Sequence, residues 1–202
     1  MKENCSAFYI HCFAHQLQLA LVTLAKKHSN NASFFNQIAN FSNVVGGSCK
    51  RRDALRESQF KRVEETLKVG EITSGHGLNQ EIAVKKAGDT RWSSHYATLL
   101  SIVYLFSSMM DVIDMIEEDG TSSEQRGDAK LLLKCMQSFE FIFILHLMKK
   151  VLSITHELSQ ALQRSDQDIV KAMKLVKVSK QKLQTIRDSG WDSLLHEVSL
   201  FC

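Results

Sequence analysis

The chain has 202 residues, 44% of them hydrophobic and 23% charged, a composition that fits one globular domain with a real core and excludes disordered and fibrous classes. Proline is absent, where average usage would give about ten. With no pyrrolidine ring to remove an amide donor or clash with a preceding turn, helix is favoured nearly everywhere.

The formal net charge of +3 is too small to imply a polyanionic partner by itself, but its distribution says more. Residues 49–70 carry seven Lys/Arg against four acids, and residues 149–187 carry nine against three. Between them, residues 111–128 hold seven acids and only Arg126 as a base. Such segregation can create local fields that the total conceals, although solvated helix faces produce the same pattern. Five cysteines at Cys5, Cys12, Cys49, Cys135 and Cys202 make an odd, scattered set that suits a reducing compartment better than a disulfide framework. The N-terminal "MKENCSAF" lacks the apolar region of a secretory signal. The longest uncharged apolar stretch, 96–110, falls short of the roughly 18–20 residues that span a bilayer. An intracellular chain with no membrane partner is expected.

In chain order, "AFYIHCF" (7–13) is aromatic and β-branched and predicts a short strand, whose unpaired edges would need a sheet supplied from elsewhere. From His15 the period changes: Leu17, Leu21 and Leu24 form a helix stripe that ends in Lys26, Lys27 and His28. A second helix is predicted over 33–47, closed by Gly46 and Gly47, and a third, basic helix over 48–70, ended by Gly70. Residues 71–90, with three glycines and little periodicity, read as the main loop. Tyr96, Leu99, Val103, Phe106, Met110 and Ile113 then predict one face of a long helix, broken within 117–128. Residues 129–163 read as helix, kinked near Gln137 and Ser138, although "FEFIFILHLM" alone also fits a strand. Ser165 or Asp166 can cap a helix over 167–188, with Ile169, Met173, Val176, Leu183 and Ile186 on its inner side. Gly190 ends it, and a further element starts at Trp191, which reads as a packing anchor by its setting in "GWDSLL". The layout is a mainly α multi-helix bundle of six or seven helices behind one short N-terminal strand.

Three constellations carry chemistry. Cys12-x-x-His15 has the spacing of half a zinc site, but no second close Cys/His pair completes the four ligands of a structural site. A nucleophilic Cys–His dyad and a plain packed thiol beside a hydrogen-bonded histidine are the alternatives. In "GDTRWSSHY" (88–96), Asp89 or Thr90 can cap the long helix, leaving Arg91 and Trp92 in its first turn. That pair can stack a base and hold a phosphate, or seal a helix junction. Lys50, Arg51 and Arg52 open the basic helix and offer either phosphate contacts or a solvated face. No Walker or dinucleotide glycine loop, nucleophile elbow or His-Glu-x-x-His is present.

"YIHCFAHQLQLAL" followed at a distance by "GDTRWSSHYATL" resembles the hAT superfamily of cut-and-paste DNA transposases. Further stretches, among them "GGSCKRRDALRE" and "LSQALQRSDQDIV", are similar to plant transposase-derived proteins of the zinc finger MYM-type 1-like group. The resemblance implies that residues 1–28 are the last strand and following helix of a ribonuclease-H-like core, and that residues 29–202 are its all-helical insertion domain. It places Cys12 and His15 near the family's catalytic centre in a supporting role, and assigns Arg91 and Trp92 to strand ends and a flipped base. Family enzymes hold a divalent metal such as Mg on three acids, two before the Cys-x-x-His motif and one after the insertion. Glu3 is the sole acid before Cys12, so no residue here is assignable to that triad.

The resulting expectation is a truncated, non-enzymatic transposase-like chain with no zinc finger, no metal and no cofactor of its own. It would act in the nucleus, by resemblance, or in the cytoplasm. Arg91, Trp92, Lys50, Arg51 and Arg52 would bind DNA. The alternative is a structural remnant that self-associates or meets protein partners through the apolar edges of residues 7–13 and of its C-terminal helix.

Overall fold

The computed structural model of the chain describes residues 12–69 and 92–202. Among these there are eight helices and no strand. In order they are α1 (Phe13–Lys27), α2 (Ser29–Gly46), α3 (Cys49–Val69), α4 (Trp92–Asp119), α5 (Ser123–Met136), α6 (Phe139–Leu162), α7 (Ile169–Ser189) and α8 (Trp191–Phe201). The mainly α expectation holds. The predicted strand lies outside the described residues except for its last two positions: Cys12 is extended, and Phe13 already opens α1. The 71–90 loop and the Asp89/Thr90 cap also lie outside them.

α4 is the axis of the bundle. It packs against α1, α2, α3, α5 and α6, and α6 in turn carries α7 and α8. Because neighbours surround it on several sides, its buried set is broader than one stripe: Leu99, Ile102, Leu105, Met109, Val112, Ile113 and Ile116 are deeply buried. Of the predicted stripe, Leu99 and Ile113 belong to that set, while Tyr96, Val103, Phe106 and Met110 are partly buried against it. Thr98 and Ser101 sit in this apolar setting because their hydroxyls donate to the carbonyls of Ser94 and Thr98 in the same helix, at 2.9 and 2.8 Å. α2 contributes Phe34, Ile38, Phe41 and Val45, which recur every three or four residues. Phe141 of α6 wedges between Phe34 and Phe41, with ring centroids 5.6 and 5.2 Å away.

"FEFIFILHLM" is helix, and the kink near Gln137 is a full break: α5 and α6 are separate helices bent by 64°. Ser138 caps the break on both sides. Its hydroxyl donates to the Cys135 carbonyl at 2.7 Å and accepts from the Phe141 amide at 3.2 Å, while the Gln137 amide still reaches the Leu133 carbonyl.

α7 departs from its predicted register. Asp168, rather than Ser165 or Asp166, caps it, accepting from the Lys171 amide at 2.7 Å; Asp166 is held instead by Nε and Nη2 of Arg164. Ile169 and Met173 are 65% and 61% exposed, whereas Ala172 is buried against Ala14, Leu158 and Leu162. The small alanine side chain lets α7 approach α6 closely, and this rotates its larger neighbours outward. Leu175, Val176, Leu183 and Ile186 remain on the half-buried side. α8 follows at Gly190 and docks through Leu194 and Val198. Trp191 anchors the corner: its indole N–H donates to the Arg187 carbonyl at 2.7 Å and its ring stacks on Phe143.

Truncating the Phe141 wedge to alanine is expected to cost about 3–5 kcal/mol of stability by urea denaturation, whereas Leu131→Ala on the surface stays within about 0.5 kcal/mol. Ser138→Ala, which removes the cap at the break, is expected to cost about 1 kcal/mol in the same measurement.

Candidate functional site

Two antiparallel helix pairings fix where the motifs lie. The first is α4 with α6: Tyr96 faces His156 at 5.0 Å between ring centroids, and farther along Phe201 touches both Phe106 and His146, at 5.0 and 4.8 Å. As α4 ascends, α6 therefore descends, and Trp92 lies one turn beyond Tyr96, toward the C-terminal end of α6. The second is α1 with α6: Ala14 clusters with Leu158 and Leu162, while Leu17, Gln18 and Leu21 line a crevice with Leu152, Thr155 and His156. The start of α1 thus also reaches the C-terminal end of α6. α7 begins there too, because Ala172 joins the same cluster.

One end of the bundle accordingly gathers Cys12, His15, Trp92 and the first turns of α7. Cys12 is exposed, and its carbonyl accepts from the Gln16 amide at 3.0 Å. His15 is exposed on the first turn of α1. The three-residue spacing puts Cys12 and His15 on neighbouring outward positions, while Ala14 between them faces the core. Arg91 lies outside the described residues. Phe35 and His95, with ring centroids 4.9 Å apart, brace the first turns of α4.

Lys50, Arg51 and Arg52 are elsewhere. Arg51 donates through its guanidinium to the Val44 carbonyl at 2.9 Å, satisfying the exposed C-terminal end of α2, and its amide reaches the Ser48 hydroxyl. Arg52 contacts the Cys49 sulfur at 3.2 Å. Arg51 shares a cleft of about 360 Å³ with Ile116, Ser122, Glu124 and Asp128, at the far end of α4. Ile116 follows Trp92 by 24 residues, or about 36 Å at 1.5 Å per residue. Of the residues expected to share one surface, Trp92 therefore falls at the opposite end of the bundle from Lys50, Arg51 and Arg52. Sequence distance along separate helices carries no information about which ends meet; only the antiparallel packing supplies it.

The α3 bases are also electrostatically engaged. Arg62 donates through Nη2 to both carboxylate oxygens of Asp111, at 2.9 and 3.0 Å, and the Ser58 hydroxyl joins the same carboxylate. Arg56 pairs with Asp53 and Lys61 with Glu57, whose carboxyl the lysine holds below its usual range. The carboxylates Glu124 and Asp128 across the Arg51 cleft oppose any anion there.

α7 is the contrasting case. From 169 to 187 it carries Lys171, Lys174, Lys177, Lys180, Lys182 and Arg187 and not one acid. Lys171 pairs with Asp168 and Lys182 with Glu157, at 3.3 and 3.0 Å. Lys174, Lys177 and Lys180 point to the exposed side. Sequence reasoning registered the basic segment but not this helix as a binding element; the signal that finds it is the acid-free run, not the count of bases.

Among the described residues no three His, Cys, Asp or Glu side chains converge to hold a divalent ion. No protein-family model matches the chain, and no solved structure matches it.

Proposed function

We propose that this chain is a hAT-transposase-like helical insertion module that binds nucleic acid at the bundle end where α1, α4 and α7 begin. The observation that supports it is the pairing of both α1 and α4 with α6, which draws Cys12-x-x-His15 and Trp92 to one end beside the start of α7, whose residues 169–187 carry no acid. In this reading Lys174, Lys177 and Lys180 meet backbone phosphates and release their counterions. Trp92 offers a ring for a base and Arg91 a fork for phosphate. Cys12 and His15 shape the corner without performing chemistry. Lys50, Arg51 and Arg52 contribute to the fold rather than to binding.

A second reading is assembly through apolar surface. It is favoured by Leu195 and Leu200, which stand exposed on α8, and by the exposed Phe139, which stacks on Phe143, itself stacked on Trp191 at the start of α8. Here the chain would meet a second copy or another protein and bind no nucleic acid.

Fluorescence anisotropy on single- and double-stranded oligonucleotides across a salt series separates the two. Binding is expected at low salt, with log K falling linearly against log salt. Replacing Lys174, Lys177 and Lys180 together by alanine is expected to reduce that slope by about 2–3, at roughly 0.9 per phosphate contact. Arg91→Ala with Trp92→Ala weakens binding by about tenfold or more, a stacking loss of ~1–3 kcal/mol. Lys50→Ala with Arg52→Ala changes neither quantity. Absence of binding at low salt, with mass rising as concentration rises, overturns the first reading in favour of the second.

A further inference from the structure

The deepest buried titratable side chain among the described residues is His146 on α6, 4% exposed, and neither of its ring nitrogens has a hydrogen-bond partner. Its ring meets the edge of Phe201 at 4.8 Å, and Phe201 closes against Phe106 of α4. That aromatic sandwich is what fastens the last turn of α8. The rest of the 11-residue helix is held by Trp191 on Phe143, by Leu194 and Val198, and by the ion pair of Lys150 with Glu197 at 2.7 Å.

We propose that His146 makes the docking of α8 sensitive to acid: the neutral imidazole lets the helix seat, and the imidazolium drives it off. A neutral ring left without partners is tolerated in an apolar setting at moderate cost, whereas an ionised ring in the same place is far more costly. The charged groups that face it are Lys149 and Lys150 from its own helix and Glu197 from α8; α4 contributes the apolar Phe106 behind Phe201. Burial, the largest influence, and then Lys149 and Lys150 disfavour the charged ring, and Glu197 alone opposes them, so its proton affinity lies below the ordinary imidazole value. The unfolded or undocked segment consequently binds more protons than the docked one as pH falls through the ordinary imidazole range. Stability that is fully present above that range is lost on going down toward the depressed value of the docked state. Protonation reaches water most directly if Phe201 lifts away, and Phe201 cannot lift without α8. The inference is independent of nucleic-acid binding.

Trp191 opens α8 and stacks on Phe143, so its emission reports the docked helix; Trp92→Phe leaves it as the single tryptophan. In that background, lowering pH from 7.5 to 5.5 is expected to shift Trp191 emission, with a midpoint below the usual imidazole range, and to lower Tm by about 3 °C. With His146→Leu added, both changes disappear. An unchanged pH response in that variant overturns the proposal, as does the lack of any response with His146 in place. Should the leucine variant fail to fold, imidazole proton resonances of the unmodified chain decide. One ring titrating below the ordinary range, in step with amide shifts over residues 191–201, supports the proposal. A ring that titrates at or above that range, captured by Glu197 while α8 stays docked, refutes it.

Discussion

The constraint that organises this molecule is the burial of α4. A 28-residue helix of this composition, about 42 Å long at 1.5 Å per residue, carries apolar side chains around much of its circumference and cannot stand alone in water. It is long and apolar enough to pass for a bilayer span by composition, yet half of that window is buried among α1, α2, α3, α5 and α6. Every other helix is placed by which stretch of α4, or of its antiparallel neighbour α6, it covers. The length of α4 also sets the distance between the two ends of the bundle, and so decides which polar features can cooperate.

That separation sorts the charges. At the C-terminal end of α4, bases and acids interleave: Arg62 with Asp111, Arg51 opposite Glu124 and Asp128, Lys130 with Glu117. Fields of opposite sign cancel there over a few ångströms. At the other end α7 presents lysines with no acid in its own sequence between 169 and 187. A basic cluster counted along the chain is therefore not equivalent to a basic surface. Arg51 is the sharpest example, since its guanidinium is spent on the Val44 carbonyl and its position among acids makes it a structural residue.

Much of the fold was legible because the local signals were strong. Glycines 46, 47 and 190 and the 3.6-residue stripes marked helix ends and inner faces in α2 and α4, and the break at Gln137 and Ser138 was visible as a polar interruption between apolar runs. Elsewhere tertiary packing chose among equivalent local options. Ser165, Asp166 and Asp168 can all cap a helix; Asp168 does so because Arg164 takes Asp166. Ile169 and Met173 look inward by period, but Ala172 controls how close α7 comes and turns them out. The motif residues Cys12, His15, Arg91 and Trp92 were recognisable as types, whereas the meeting of α1 and α4 on α6 depends on long-range pairings such as Ala14 with Leu158 and Tyr96 with His156, which no local pattern encodes.

The absence of proline has a kinetic side as well. Every peptide bond in this chain strongly prefers one isomer in the unfolded state, so refolding meets none of the tens-of-seconds delays that X–Pro rotation imposes on ordinary domains. The 64° corner between α5 and α6 is turned without such a ring, by a serine whose bonds form and dissolve with its own two helices. Whatever slow event limits folding must then be the late docking of distant helices around α4, a barrier set by chain entropy rather than by isomerisation.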